Sequence, residues 1–413
     1  MASVTEEEVV VVGGGLAGLA TAVALKRVGI RALVLEKSET LRATGGALTI
    51  FANGWLALDA LGVSHKLTSL YAPTEGTIIT EVATGARKES SYSTKHKRSV
   101  HRKVLLEALA EELPKETIRF SSKVAAIETQ TQEDSSVAII HLADGTSIRT
   151  KILIGCDGLH SMVARWLGLG APVSSGRSAA RGLSVFPEGH GLNIEHKLFE
   201  SVGKRAGFIP LNDKEVYWWF TCESPIKGEN IGAGNPELIH RQVIENYGKE
   251  FPPLYLDIVR HVDLSTLTWT PLMFRHPWDI LFGNLSKGNI TVAGDAMHPM
   301  TPELAQGACA ALEDAVVLGR HIGNSLMRNA TTGFASSQHI IAEAIERYIK
   351  ERRWRVACLV AVSSLSGWVR NGNRSWWMNF LREVIFYKII LGSKIINPAE
   401  YDCGKLPCVS FNR

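Results

Sequence analysis

The chain has 413 residues, 45% of them hydrophobic and 21% charged, and a formal net charge of +4. That length can bury a large core in two lobes, the composition is ordinary for a globular protein, and so small a charge excludes a nucleic-acid partner held by electrostatics. The six cysteines are scattered without a CxxC pair or metal-ligand spacing, which predicts reduced thiols and no metal site.

Eight residues precede the first predicted strand, and they include the acidic run Glu6, Glu7 and Glu8 rather than a cationic, apolar leader. The expected location is cytoplasmic. Four valines at 9–12 then read as a buried strand, followed by Gly13, Gly15 and Gly18 in the GxGxxG spacing. Gly13 serves the tight exit turn, Gly15 lets backbone N–H groups approach a pyrophosphate, and Gly18 lets the next helix pack on the strand. Leu16, Leu19, Ala20 and Val23 repeat at helical spacing, and Ala17 lies within that same first turn. A second strand over 32–36 ends on Glu36, 18 residues past Gly18, where a carboxylate would accept hydrogen bonds from an adenosine ribose. Lys37 and Arg42 follow in a loop, as surface groups with an adenosine-phosphate contact open to them.

Further along, 54–61 reads as a helix stopped at Gly62, 76–99 as a strand pair, and 104–113 as an amphipathic helix ended by Pro114. Segments at 124–127 and 137–142 read as a hairpin leading to the turn at Asp144 and Gly145. A buried strand at 152–154 runs into Asp157 and Gly158. From 176 to 276 the chain is rich in strand signals and aromatic residues, as in the run Val216, Tyr217, Trp218, Trp219, Phe220. The buried-strand pattern returns at 290–293. It is followed by Gly294, Asp295, a loop carrying Pro299 and Pro302, and a helix predicted from Gln306 to Leu326. The last seventy residues are mainly helical by pattern, and 376–396 is rich in large apolar groups but interrupted by charges. That segment reads either as a helix packed on the body or as a surface contact to a partner or membrane, and no run is long enough to span a bilayer.

Three motifs in one order (13–18, Asp157-Gly158, and 294–307) resemble the single-component FAD-dependent aromatic monooxygenases, the group of para-hydroxybenzoate and salicylate hydroxylases, and within it the small plant enzymes. The likeness runs over roughly residues 8–330. It implies an α/β fold: a Rossmann-like FAD-binding lobe, an inserted mixed β-sheet substrate lobe and a C-terminal helical segment. The expected division is 8–75, 100–175 and 277–345 for the FAD lobe, 76–99 and 176–276 for the substrate lobe, and 346–413 for the C-terminal segment. Only one GxGxxG follows a strand and opens a helix, so no second nucleotide domain is expected. The resemblance implies that NADPH or NADH docks transiently and that O₂ is used through a flavin C4a-hydroperoxide to hydroxylate a small aromatic compound.

It also implies FAD contacts at Gly13, Gly15, Leu16, Ala17, Gly18, Glu36, Lys37, Arg102, Asp157, Gly294, Asp295, Pro302, Gln306 and Gly307. Asp295, directly after a buried strand, is expected to need a partner such as a ribityl hydroxyl. Gln306 and Gly307 open a helix whose positive end would face the flavin pyrimidine. No catalytic side chain is singled out. His298 reads as a structural hydrogen-bonder or a proton relay, and the 218–220 aromatics as core or substrate wall. Four positions depart from the family pattern: Ala305 where glycine is usual, Glu303 and Cys309 where asparagine is common, and Ala164 where an arginine is usual. Glu303 would bring a negative charge near reduced flavin. Glu303, Ala305 and Ala164 motivate a second reading, a non-catalytic FAD-binding regulatory protein, and a third keeps the flavin but releases H₂O₂ as an oxidase or reductase.

Overall fold

The structure is a computed structural model that describes residues 4–41, 46–89, 96–132, 135–224, 235–332, 337–371 and 399–407. Arg42, the glycine pair at 232 and 234, the apolar stretch 376–396 and Cys408 lie outside the described residues. The fold is α/β. Its first sheet is built on the valine strand, Val4–Val12, which pairs in parallel with Ser147–Gly155 on one side and Leu33–Leu35 on the other. Ile290–Val292 and Ile118–Arg119 extend the parallel set at its two ends, and the hairpin Val124–Gln132 and Ser135–Leu142 joins through Ser147–Gly155. A parallel strand covered on both faces needs apolar side chains on both, which is why 9–12 is all valine rather than alternating. The helix Leu16–Arg27 starts directly after the loop. It can do so only because residue 18 is glycine: a Cβ there would sit 1.8 Å from the Gly13 carbonyl oxygen.

The second sheet has seven strands, in the order Thr268–Phe274, Val173–Val185, Glu215–Glu223, Lys204–Pro210, Glu195–Ser201, Gly76–Glu81 and Arg87–Glu89. Its neighbours are antiparallel except Glu195–Ser201 against Gly76–Glu81, which run parallel, so the sheet is mixed. The period of two splits the aromatic run. Val216, Trp218 and Phe220 point into a core with Phe208, while Tyr217, Trp219 and Thr221 face the opposite way. The core side is covered by the helices Pro236–Gln242 and Pro253–Arg260, which the strand-rich reading of 176–276 missed. Their signal was present but short: Pro253 at the first turn, then Tyr255, Ile258 and Val259 at helical spacing.

Two long helices, Gly307–Thr332 and Ser337–Asn371, close the first lobe. They are tied by a buried ionic cluster. Arg352 Nε donates to Asp314 Oδ1 at 2.7 Å, and its Nη1 lies 2.7 Å from Glu313 Oε2. Cys403 is a buried free thiol near the end of the described chain. Among the described residues no helix is long and apolar enough to cross a membrane and no cluster could hold a metal ion.

Candidate active site

A cavity of about 610 Å³ lies between the glycine loop and the outward face of the second sheet. Gly15, Leu16, Ala17, Arg102, Asp295, Pro302 and Gly307 all reach its wall, so the chain brings together seven of the expected contact residues from three separate stretches. An added Cβ at Gly15 would meet no protein atom within 4 Å, leaving the loop backbone open to a ligand. Two helices begin at this wall, Leu16–Arg27 and Gly307–Thr332, and both aim their first-turn N–H groups and a positive dipole end at it.

The other expected residues stand behind the wall or beside it. Glu36 is buried, and its carboxylate accepts from Gly14 N at 2.8 Å and from Ser38 N at 2.9 Å, which fixes the acid against the glycine loop. Lys37 is exposed. Asp157 accepts from Ser161 Oγ at 2.5 Å and Met162 N at 2.6 Å, so it secures the turn after Gly158. Burial raises its carboxyl above the ordinary value. Gly294 is buried, with its N–H donated to Asp314 Oδ2 at 2.8 Å. Gln306 departs from expectation: its side chain turns inward, where Oε1 accepts from Asn53 at 2.8 Å, so only backbone at that position is free to meet a ligand. Asp295 corrects another argument. The carboxylate is exposed at the cavity rather than buried, so no desolvation cost demands a partner for it, and among the described residues it makes no hydrogen bond.

The floor is one face of the second sheet, read in rows across the strands. Arg181 pairs with Trp219 and Trp219 with Gly207, while Ala179 pairs with Thr221 and Thr221 with Arg205. Gly207 is needed at the centre, because a Cβ there would lie 2.9 Å from Trp219 Cζ2. Without it the indole lies over the sheet as a flat wall, and the Arg205 guanidinium sits 5.7 Å from its ring centre.

Three of the departures from the family pattern take on a physical meaning here. The Glu303 side chain is only 3% exposed and is held between Arg177 Nη1 and Arg205 Nη1, the latter at 2.7 Å. Its charge is therefore neutralised by two guanidiniums from the sheet, which sequence reasoning did not foresee. Ala305 takes the left-handed conformation, φ 50° and ψ 31°, that the usual glycine adopts freely. Ala164 is buried in the short helix Met162–Trp166, and Arg165 points outward from it. His298 is fully buried, 2.6 Å from Asp314 Oδ2, and is not on the cavity wall, which favours the structural reading over a relay. Glu313, Asp314 and Arg352 were missed. The adjacent acids at 313–314 inside an otherwise apolar helix were the available signal.

The sequence profile of the FAD binding domain family matches residues 6–347. Monooxygenase 2 of Arabidopsis thaliana is 40% identical over 411 residues, with 97% of this chain and 98% of that protein covered. The chain belongs to the single-component FAD-dependent aromatic monooxygenases, in their plant branch. Monooxygenase 1 of the same plant is 35% identical, over 96% of this monooxygenase and 99% of its own length. The crystal structure of Klebsiella pneumoniae HpxO with FAD and uric acid superposes with a TM-score of 0.77 over 96% of this chain and 97% of that one; at 23% identity it speaks to the fold. The chain is an FAD-dependent monooxygenase. The cavity wall fits that cofactor on its own terms: an open glycine loop, two helix N-termini, a carboxylate at Asp295 with no protein partner among the described residues, and the guanidinium-bearing Arg102.

Proposed function

We propose that this monooxygenase uses NADPH or NADH and O₂ to hydroxylate a small planar aromatic compound bound on the Trp219 face of the cavity. The observation that carries the reading is the floor itself: a flat indole over Gly207, with Tyr217 beside it, opposite the glycine loop. A planar ring slides onto such a surface with little loss of conformational entropy and gains offset stacking, about 1 kcal/mol beyond area burial. FAD, when bound, supplies the redox chemistry that activates O₂. The chain supplies the rest. Backbone N–H groups at Gly15 and Leu16 would meet the pyrophosphate, Asp295 a ribityl hydroxyl, and Glu36 the adenosine ribose. The helix starting at Gly307 would stabilise negative charge on the ring system. Pro299 and Pro302 stiffen the connecting loop.

The regulatory reading rested on Glu303, Ala305 and Ala164, and the structure accommodates each of them without closing the site. The neighbouring HpxO structure is a complex with FAD and uric acid, and a planar heteroaromatic of that size is compatible with the cavity described above. The test has two parts. Purified protein is expected to retain a two-banded flavin spectrum through gel filtration, and to oxidise NADPH with formation of hydroxylated product in step when given phenolic acids. NADPH consumption matched by H₂O₂, with no oxygenated product from any planar substrate, would overturn the hydroxylase reading in favour of an oxidase.

A further inference from the structure

Lys97 is 8% exposed and, among the described residues, has no carboxylate partner. Buried lysines are rare unless paired, so one without a counter-ion needs an explanation. Its ammonium donates to Thr77 Oγ1 at 3.0 Å and to His196 Nδ1 at 3.1 Å, and it lies 5.6 Å from the centre of the Phe51 ring. Burial pushes it down to about 8, which leaves it mostly charged at neutral pH. The hydrogen bond to His196 then has one direction. An ammonium has no acceptor, so Nδ1 must accept and the ring proton must sit on Nε2. Burial, together with the nearby charges of Lys97 and Arg205, holds His196 well below its ordinary value, so the imidazole is neutral and has a single N–H.

His196 is a cavity residue. It belongs to the same sheet face as Trp219, one strand beyond Lys204–Pro210. With Nδ1 engaged, Nε2–H makes no hydrogen bond to the protein among the described residues. We propose that His196, held in the Nε2–H form by Lys97, recognises an oxyanion or carbonyl oxygen on the planar substrate. Lys97 is the positioning residue: it fixes the tautomer and places a buried positive charge behind the donor. The inference rests on the reading that the cavity takes a planar ring, and it narrows the substrate class to rings carrying a hydroxyl bound as its anion, or a carbonyl. An apolar ring leaves the donor unsatisfied, a capped ether oxygen offers it only a weak, uncharged acceptor, and a site built to hydrogen-bond an oxygen rejects analogues that answer it poorly.

The test uses the FAD-loaded full chain and two matched pairs of carbonyl-free probes, α-naphthol and β-naphthol, each against its own methyl ether, with binding measured by calorimetry. Wild type is expected to bind each hydroxyl compound roughly tenfold or more tighter than its ether, the range of a charge-assisted hydrogen bond. His196→Phe and Lys97→Met should lose that preference while their affinity for the ethers and their flavin content stay unchanged. His196→Gln, which keeps an N–H donor, should restore part of it. A merely structural role for Lys97 would lower affinity for both members of a pair alike and would overturn the proposal. A wild type that binds both members equally, or variants that keep the preference, would overturn it too while leaving the planar-ring reading intact. Failure of every probe to bind wild type would sink both. If Lys97→Met does not fold, the wild-type ratio and the two His196 variants decide the question.

Discussion

Glu303 Oε2 lies 2.7 Å from Arg205 Nη1, joining the loop ahead of the helix Gly307–Thr332 to the floor of the second sheet. Arg177 grips the other carboxylate oxygen, and Arg205 also reaches Glu200 Oε1 at 3.3 Å. A buried carboxylate shared by two guanidiniums cannot be removed cheaply, since its loss leaves like charges together in a medium of low polarity. Glu303→Ala should therefore destabilise the protein by about 3–5 kcal/mol. Urea unfolding checks this; a change under about 1 kcal/mol would place the cluster among weak surface pairs instead.

Ala305 holds a backbone conformation that costs an alanine roughly 1 kcal/mol more than a glycine. Part of that is offset by glycine's greater freedom in the unfolded chain. Ala305→Gly is expected to stabilise by up to about 0.5 kcal/mol and to leave flavin retention unchanged. The midpoint of urea unfolding is the measurement, and a downward shift would mean that the methyl group packs usefully at the cavity wall.

Asp295 is the carboxylate at the wall with no hydrogen bond to the protein among the described residues. On the proposed reading, Asp295→Ala removes a ligand contact and, among the described residues, no internal hydrogen bond. Stability should stay within about 0.5 kcal/mol of wild type, while flavin affinity falls roughly tenfold or more. Flavin absorbance after gel filtration reads the second effect. Wild-type retention with full turnover would remove Asp295 from the site.

Asp314 carries a pH signature. Burial acts to raise its carboxyl, but the His298 ring and the Arg352 guanidinium outweigh that and hold it at about 2. A carboxyl depressed in the folded state stabilises the protein above its unfolded value, roughly 3.9, and that contribution is lost as pH falls toward 2. Wild type should thus lose about 2 kcal/mol across this window from Asp314 alone. Asp314→Asn should be less stable at neutral pH by about 3 kcal/mol and should show a shallower acid slope. Equal slopes in denaturant titrations at several acidic pH values would contradict the assignment.

The sequence by itself determined the parts whose signal is local. The valine run, the glycine spacing and the acid at Glu36 announce a parallel strand, a tight turn and a nucleotide-facing helix within thirty residues, because close backbone packing admits few other residue types there. The period-two aromatic run likewise fixed a strand with two unlike faces. It left open which face met solvent, core or ligand, and only the covering helices decided that Trp218 and Phe220 are core and Trp219 a cavity wall. Tertiary structure also decided the meaning of charge. Glu303 read as a liability beside a reduced flavin, yet Arg177 and Arg205, 126 and 98 residues away in the chain, neutralise it. Asp295 read as buried and proved exposed at the cavity, and Lys97, next to Arg98 in a polar stretch of sequence, is buried against His196. Backbone pattern is written in neighbouring residues. The protonation and pairing of a side chain depend on groups that only folding brings within a few ångströms.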